Sequence, residues 1–227
     1  VTQCAPDLQR VIDQARRENL AAQKAQGHAA EQSDRVARIE WADDLIQHLP
    51  EWTRPLPEAS LLDGSPEKFR VQAEHWCPST GNLLLLGETG SYKTSAAAAL
   101  VKRLVRLGIK RGGVDWRRVR TVAWYWAPTL EQARHDHPIG KDEAPKIVDA
   151  SAASLLVIDD FGLGSSGKST AIRDVLNARY QSGLPTVATS GCELEQLTAH
   201  YSSMAVRRLL ESGGRSGAVV SVLPGAP

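Results

Sequence analysis

The sequence predicts an α/β fold in which a parallel sheet is covered by helices on both faces. Three observations carry this expectation. Five short apolar runs lie at residues 82–86, 121–126, 154–158, 185–189 and 218–223, helical stretches separate them, and a glycine-bearing loop joins the first run to a helix. Continuous rather than alternating apolar runs belong to strands buried on both faces. The chain of 227 residues, 42% hydrophobic, suffices for one such domain plus a modest extension. A net charge of +1 neither demands nor excludes a nucleic-acid partner. Cys4, Cys77 and Cys192 are far apart with no CxxC pair, which points away from a zinc site or disulfide framework and towards a reduced, cytoplasmic setting. No apolar run approaches the ~20 residues that span a bilayer, and residues 1–10 lack the order of a signal peptide.

In chain order, residues 7–26 read as a helix with Leu8, Val11, Ile12 and Ala15 on one face and Gly27 as its stop. Ser33 can cap a second helix carrying Val36, Ile39, Trp41, Leu45, Ile46 and Leu49 and ending at Pro50. The expectation is a helical hairpin, then a linker marked by Pro50, Pro55 and Pro57. This divides the chain into an extension at 1–60 and a main domain at 61–227, which opens with a short helix near 67–76.

The first strand, Leu83-Leu84-Leu85-Leu86, runs into Gly87, Glu88, Thr89, Gly90, Ser91, Tyr92, Lys93 and Thr94, and Ser95 continues as helix. Strand, glycine loop and helix start form a phosphate cradle. Successive backbone N–H groups and the helix N-terminus meet the phosphates, and the lysine meets the outer ones. The Thr94 hydroxyl would join a Mg²⁺ shell otherwise made of waters and phosphate oxygens. Tyr92 stands where the pattern has glycine. Its side chain is expected to point away from the phosphates, and its backbone to avoid a conformation only glycine tolerates.

A second stretch, Gly162-Leu163-Gly164-Ser165-Ser166-Gly167-Lys168-Ser169, matches the written pattern in every place. Its context is wrong. A strand ending in a carboxylate should follow the phosphate loop, and neither remaining strand, at 185–189 or 218–223, ends in one. The strand before Gly162 ends in Asp159-Asp160, whose charges would repel phosphates beside them. With 87–94 as the loop, Leu155-Leu156-Val157-Ile158-Asp159-Asp160 becomes the metal strand. Asp159 would hold Mg²⁺ through water, and Asp160 would orient or deprotonate the attacking water.

Residues 82–94 and 155–162, with Asn177-Ala178-Arg179-Tyr180 and Leu184-Pro185-Thr186-Val187-Ala188-Thr189-Ser190, together resemble the DnaC/IstB-like AAA+ ATPases. The resemblance covers about residues 50–222. It implies a three-layer P-loop domain with five parallel strands in the order 5-1-4-3-2, preceded by the helical extension. It further implies ATP and Mg²⁺ as ligands and a homo-oligomer that loads a replicative helicase on DNA or assists a transposase. Lys93 and Asp160 are then catalytic, Thr94 and Asp159 serve the metal, and Ser190 ends a sensor strand. Gly191 replaces the family's sensor Asn. Arg207-Arg208-Leu209-Leu210 resembles the segment that carries a finger into a neighbouring subunit, with Arg208 in that role; a solvated basic face is the other reading of the pair.

Eight basic residues against one acid lie between Lys102 and Arg120, with Trp116 among them and Trp124, Tyr125 and Trp126 following. Charge beside aromatic rings suits single-stranded DNA, although Trp124 and Trp126 are expected to be core or half-core. The segment 127–150 reads as loop plus short helix, and His135 and His137 lack a third metal ligand nearby. Two other functions are set against the ATPase reading. One is a nucleotide-dependent adaptor with little hydrolysis, suggested by Tyr92 and Gly191. The other is a self-sufficient hexameric helicase, which 227 residues scarcely accommodate.

Overall fold

The computed structural model describes residues 5–111, 119, 121–138, 140–163, 170–212 and 215–222. Two compact units comprise Val1–Trp41 and Ala42–Pro227. The first consists of helix α1 (Ala5–Gln47) as far as Trp41. The expected hairpin is absent, because α1 runs straight through Gly27. A glycine costs a helix interior only about 1 kcal/mol against alanine, and Ala21, Ala22, Ala25, Ala29 and Ala30 around it are the strongest helix formers.

In the second unit Ala42, Leu45 and Leu49 are buried. Short helices α2 (Glu58–Leu62) and α3 (Glu67–His75) follow and pack on α4 (Lys93–Arg111). The proline-rich stretch before α2 is tied down rather than loose. Lys102 Nζ on α4 donates to the carbonyls of Thr53 at 2.7 Å and Arg54 at 2.8 Å, and also to that of Leu56.

The sheet is formed by β1 (Leu83–Leu86), β2 (Val122–Trp126), β3 (Leu155–Asp159), β4 (Thr186–Ser190) and a last strand, β7 (Ala218–Ser221). Between β4 and β7 come α8 (Leu194–Tyr201), α9 (Ser203–Leu210) and a small antiparallel ribbon, β5 (Glu211–Ser212) with β6 (Arg215–Ser216). The order is β2-β3-β4-β1-β7, every pair parallel. With its five strands numbered in sequence this is the expected 5-1-4-3-2. The stretch expected as loop plus one helix holds two, α5 (Ala127–Gln132) and α6 (Pro145–Ala152), each with a proline in its first turn, where the missing N–H costs nothing.

Strand periodicity sends alternate side chains to opposite faces. Leu84, Leu86, Ala123, Leu156, Ile158 and Ala188 form one core with α5, α6, α8, α9 and α7 (Ala171–Ser182). Leu83, Leu85, Val122, Leu155, Val157 and Val187 are equally buried on the other face, where α4 meets the sheet. Register aligns the carboxyl ends: Leu86 lies beside Ser190, and Trp126 beside Asp159. Whatever leaves β1, β2, β3 and β4 therefore emerges along one edge.

Two buried polar side chains staple the opposite end. Asn82 accepts from Thr186 N at 2.7 Å and donates to the Arg208 carbonyl at 3.3 Å. Arg179, 1% exposed, donates to Thr186 Oγ1 at 3.0 Å, to the carbonyls of Ala150 at 2.9 Å and Ala153 at 2.6 Å, and to that of Pro185. This explains the arginine of the Asn-x-Arg-Tyr motif: it binds the ends of α6 and α7 to the start of β4. Burial pushes its guanidinium down to about 9, which still leaves it charged at neutral pH. Replacing it with methionine takes the donor from four acceptors, of which the Pro185 carbonyl keeps Leu156 N at 3.3 Å. Arg179→Met should lower stability by about 3 kcal/mol or more in urea denaturation at pH 7, and a loss below about 1 kcal/mol would contradict this role.

Candidate functional site

The four buried leucines of β1 deliver the chain to Gly87 at the carboxyl edge. Gly87 N donates to the Ser190 carbonyl at 3.0 Å, which carries the β1–β4 ladder one step beyond the strands. A Cβ on Gly87 would stand 2.4 Å from Ser91 Oγ and 2.8 Å from Val222 Cγ2, so only glycine fits. Glu88, Thr89 and Gly90 are exposed. Tyr92 departs from the expectation for its backbone: its φ is +65°, the left-handed region. For an L-residue this costs about 1–2 kcal/mol. Its carbonyl accepts from Ala96 N at 2.9 Å and so starts α4. The loop geometry, not the side chain, sets the conformation at this position.

Lys93 is buried, and its Nζ donates to the carbonyls of Gly87 and Glu88, both at 2.7 Å, with Ser91 Oγ at 3.4 Å. Desolvation lowers its pKa, while Asp160 and Asp159 act in the opposite sense. The next residue reaches across to β3: Thr94 Oγ1 donates to Asp159 Oδ1 at 2.8 Å. Thr189 Oγ1, at the end of β4, donates to the same oxygen at 2.6 Å. Burial raises the Asp159 pKa, and these two hydroxyls and Lys93 restrain the rise.

Asp160 also has a left-handed backbone, φ +55°. Its N–H donates to Thr189 Oγ1 at 3.0 Å, and its Oδ2 accepts from Trp126 Nε1 at 3.2 Å. Trp124 is half-buried as expected, but Trp126 is 47% exposed. As the last residue of β2 it leaves the core and presents its indole to Asp160. The turn is then pinned. Phe161 N donates to the Thr189 carbonyl at 2.7 Å, and the Phe161 ring stacks on Tyr201 at 4.3 Å. The Tyr201 hydroxyl accepts from Gly162 N at 3.3 Å and donates to buried Glu131 at 2.6 Å. The sequence reading gave Trp126, Thr189, Tyr201 and Glu131 no place in this site. Only Thr189 carried a signal, as part of the Pro-Thr-x-x-Thr-Ser run.

One carboxyl edge thus gathers the loop at 87–94, the Thr94–Asp159 pair, Asp160 and Ser190. Ser190 is buried, and its Oγ accepts from Cys192 N at 3.0 Å. Oxygen donors of this kind fit a hard divalent cation that keeps waters and phosphate oxygens. Among the described residues no cluster of three His, Cys, Asp or Glu side chains forms an all-protein metal cage. Arg208 is not brought to this edge. Its carbonyl binds Asn82 at the amino end of β1, the far end from the chain's own loop. Arg207 pairs with Glu211. Gly162 packs against Leu197 and Cys192; residues 164–169 of the competing pattern lie outside the described residues.

The basic run divides. Lys102 holds the carbonyls before α2, Arg103 donates to the Trp76 carbonyl, and Arg106 makes two 2.8 Å bonds to Glu58. These three serve the fold. Trp116, Arg117, Arg118 and Arg120 lie outside the described residues, as do the side chains of Lys110 and Arg111.

No protein-family model matches the sequence, and no curated protein sequence matches it. Solved structures do match. DnaI superposes with a TM-score of 0.51 at 18% identity over 74% of this chain and 92% of its own. A candidate primosome component from Streptococcus pyogenes serotype M3 gives 0.52 at 19% identity over 75% and 89%. The domain shares the fold of these two proteins. The DnaC helicase loader superposes at 0.48 and 20% identity over 80% and 98%; the likeness of fold rests on the first two.

Two glycines at this edge behave oppositely. At Gly162, φ is +100° and a Cβ would meet Leu197 Cδ2 at 2.7 Å and Cys192 Sγ at 3.0 Å. At Gly191 φ is not left-handed, and the nearest atom to a Cβ would be the Gly87 carbonyl at 3.8 Å. Gly162→Ala should therefore cost about 2 kcal/mol or more, and Gly191→Asn should stay within about 0.5 kcal/mol of the parent. Thermal melts of both decide it, and equal melting temperatures would refute the packing at Gly162.

Proposed function

We propose that the protein binds Mg·ATP in the loop at 87–94, hydrolyses it as a homo-oligomer, and uses the cycle to load a replicative helicase on DNA or to assist transposition. The observation that carries this reading is the 2.8 Å bond from Thr94 to Asp159, which joins the loop to the acidic strand beside Lys93 and Asp160. Backbone N–H groups from Glu88 to Thr94 and the start of α4 cradle the phosphates, with Ser95 in the first turn. Lys93 exchanges its carbonyl partners for phosphate oxygens. Thr94 and Asp159 would hold Mg²⁺, which neutralises charge on the outer phosphates. Asp160, steadied by the Trp126 indole, orients a water for in-line attack. The water oxygen bonds to the γ-phosphorus as the bond to the bridging oxygen breaks, and its proton passes to Asp160 or the phosphate.

Arg208, remote from its own loop, is free to act on a neighbour's phosphates in the oligomer. The fold shared with DnaI and the primosome component supports the replication arm over transposition. Single-stranded DNA is the favoured nucleic acid, with a contact sought among Lys110, Arg111, Arg117, Arg118 and Arg120, since Lys102, Arg103 and Arg106 are engaged within the fold. No helix among the described residues is long and apolar enough to cross a membrane, and a cytoplasmic setting suits such a role. Tyr92 in its strained conformation and the missing sensor Asn keep the nucleotide-dependent adaptor as the second reading.

An ATPase assay with and without single-stranded DNA separates the two. Asp160→Asn should retain Mg·ATP binding and lose turnover by about 100-fold or more, and Arg208→Ala should likewise bind but not turn over. Mixing the two variants should restore part of the activity by pairing an intact Asp160 with an intact Arg208. Unchanged turnover in Asp160→Asn would remove the assigned base, and a folded mixture without rescue would argue against a shared site.

A further inference from the structure

Tyr92 sits in the phosphate loop in a conformation that favours glycine, and its ring lies over another glycine 28 positions earlier. Gly64 lies between α2 and α3 with φ +75°. A Cβ there would stand 2.9 Å from Tyr92 Oη, 3.1 Å from Cζ and 3.5 Å from Cε2. The phenol therefore rests on a bare Cα, and a Cβ there would displace the ring. Tyr92 is 44% exposed, so the ring is not core filling.

The seat is anchored at both ends. Leu61 at 2% and Phe69 at 0% exposure anchor α2 and α3 in the interior. The surrounding segment is bound to α4 by Lys102 at 53–56, by Arg106 at Glu58 and by Arg103 at Trp76. The loop side is responsive. Lys93, the next residue, holds the Gly87 and Glu88 carbonyls at 2.7 Å each, and phosphate oxygens compete with those carbonyls for its Nζ. A change of partner at Lys93 reaches the φ/ψ of Tyr92 first.

We propose that Tyr92 is a positioning residue that couples phosphate binding at 87–94 to the α2–α3 segment through its seat on Gly64. The inference rests on the nucleotide reading of that loop. Phosphates that tighten the loop press the ring onto Gly64 and steady residues 58–68; removal of the seat uncouples the two segments.

Hydrogen exchange of the full chain, with and without Mg²⁺ and a non-hydrolysable ATP analogue, tests this. The quantity read is the ratio of ligand-induced slowing at 58–68 to that at 87–95, which does not depend on occupancy. The parent protein should show slowing in both segments. Gly64→Asn, a residue that tolerates the left-handed region but displaces the ring, should keep the slowing at 87–95 and lose it at 58–68. Tyr92→Gly should show the same fall in ratio, and Tyr92→Phe should preserve it. A Tyr92 that merely filled space would leave the ratio intact in every variant. Slowing at 87–95 alone in the parent, or an unchanged ratio in Gly64→Asn or Tyr92→Gly, overturns the coupling. An analogue that slows neither segment in the parent defeats the nucleotide reading itself, and the coupling with it.

Discussion

A single oxygen, Asp159 Oδ1, receives Thr94 from the helix after β1 and Thr189 from the end of β4, at 2.8 and 2.6 Å. Its own carboxylate closes β3. Three chain segments distant in sequence thereby share one acceptor at the carboxyl edge of the sheet. The carboxylate is buried, and burial raises its pKa against those bonds. An anion so placed is a cost to folding unless its partners compensate. That cost marks a position whose charge, rather than packing, fits a functional site.

Around this point the backbone is bent into conformations that side chains rarely adopt. Tyr92 at φ +65° and Asp160 at φ +55° flank the pair on either side, and such strain persists only where the surroundings over-determine it. At Tyr92 the surroundings are the start of α4 and the bare Cα of Gly64. At Asp160 they are the Thr189 hydroxyl, the Trp126 indole and the Phe161–Tyr201 stack beneath the turn. Rigid strands, a buried acid and a strained loop on each side form a site whose parts are fixed by the sheet register. Stability resides at the other end, where Asn82 and Arg179 stitch strand starts to helix ends.

The strands were legible because four leucines at 83–86 and the run 155–158 leave no solvent-facing positions to misplace. Strand order followed from the family resemblance of the later motifs, and the choice of loop from the demand that a carboxylate strand follow it. What escaped was tertiary. Gly27 looked like a helix stop, yet its alanine-rich neighbours carry α1 through it. Trp126 looked like core or half-core, because nothing in a run of aromatic residues tells which one lies past the sheet edge. Lys102, Arg103 and Arg106 looked like part of a DNA face, whereas their partners, backbone carbonyls at 53, 54, 56 and 76 and the Glu58 carboxylate, have no signature in sequence. Tyr92 could be seen to replace a glycine, but the seat of its ring on a glycine 28 residues away has no signature in sequence.

The central claim is that the phosphates sit on residues 87–94 and not on the better-matching pattern at 162–169. Titration of Mg·ATP against Lys93→Ala and Lys168→Ala tests it most directly. Loss of tight binding in Lys93→Ala, with Lys168→Ala close to the parent protein, is the result this structure predicts; the opposite ranking would contradict it.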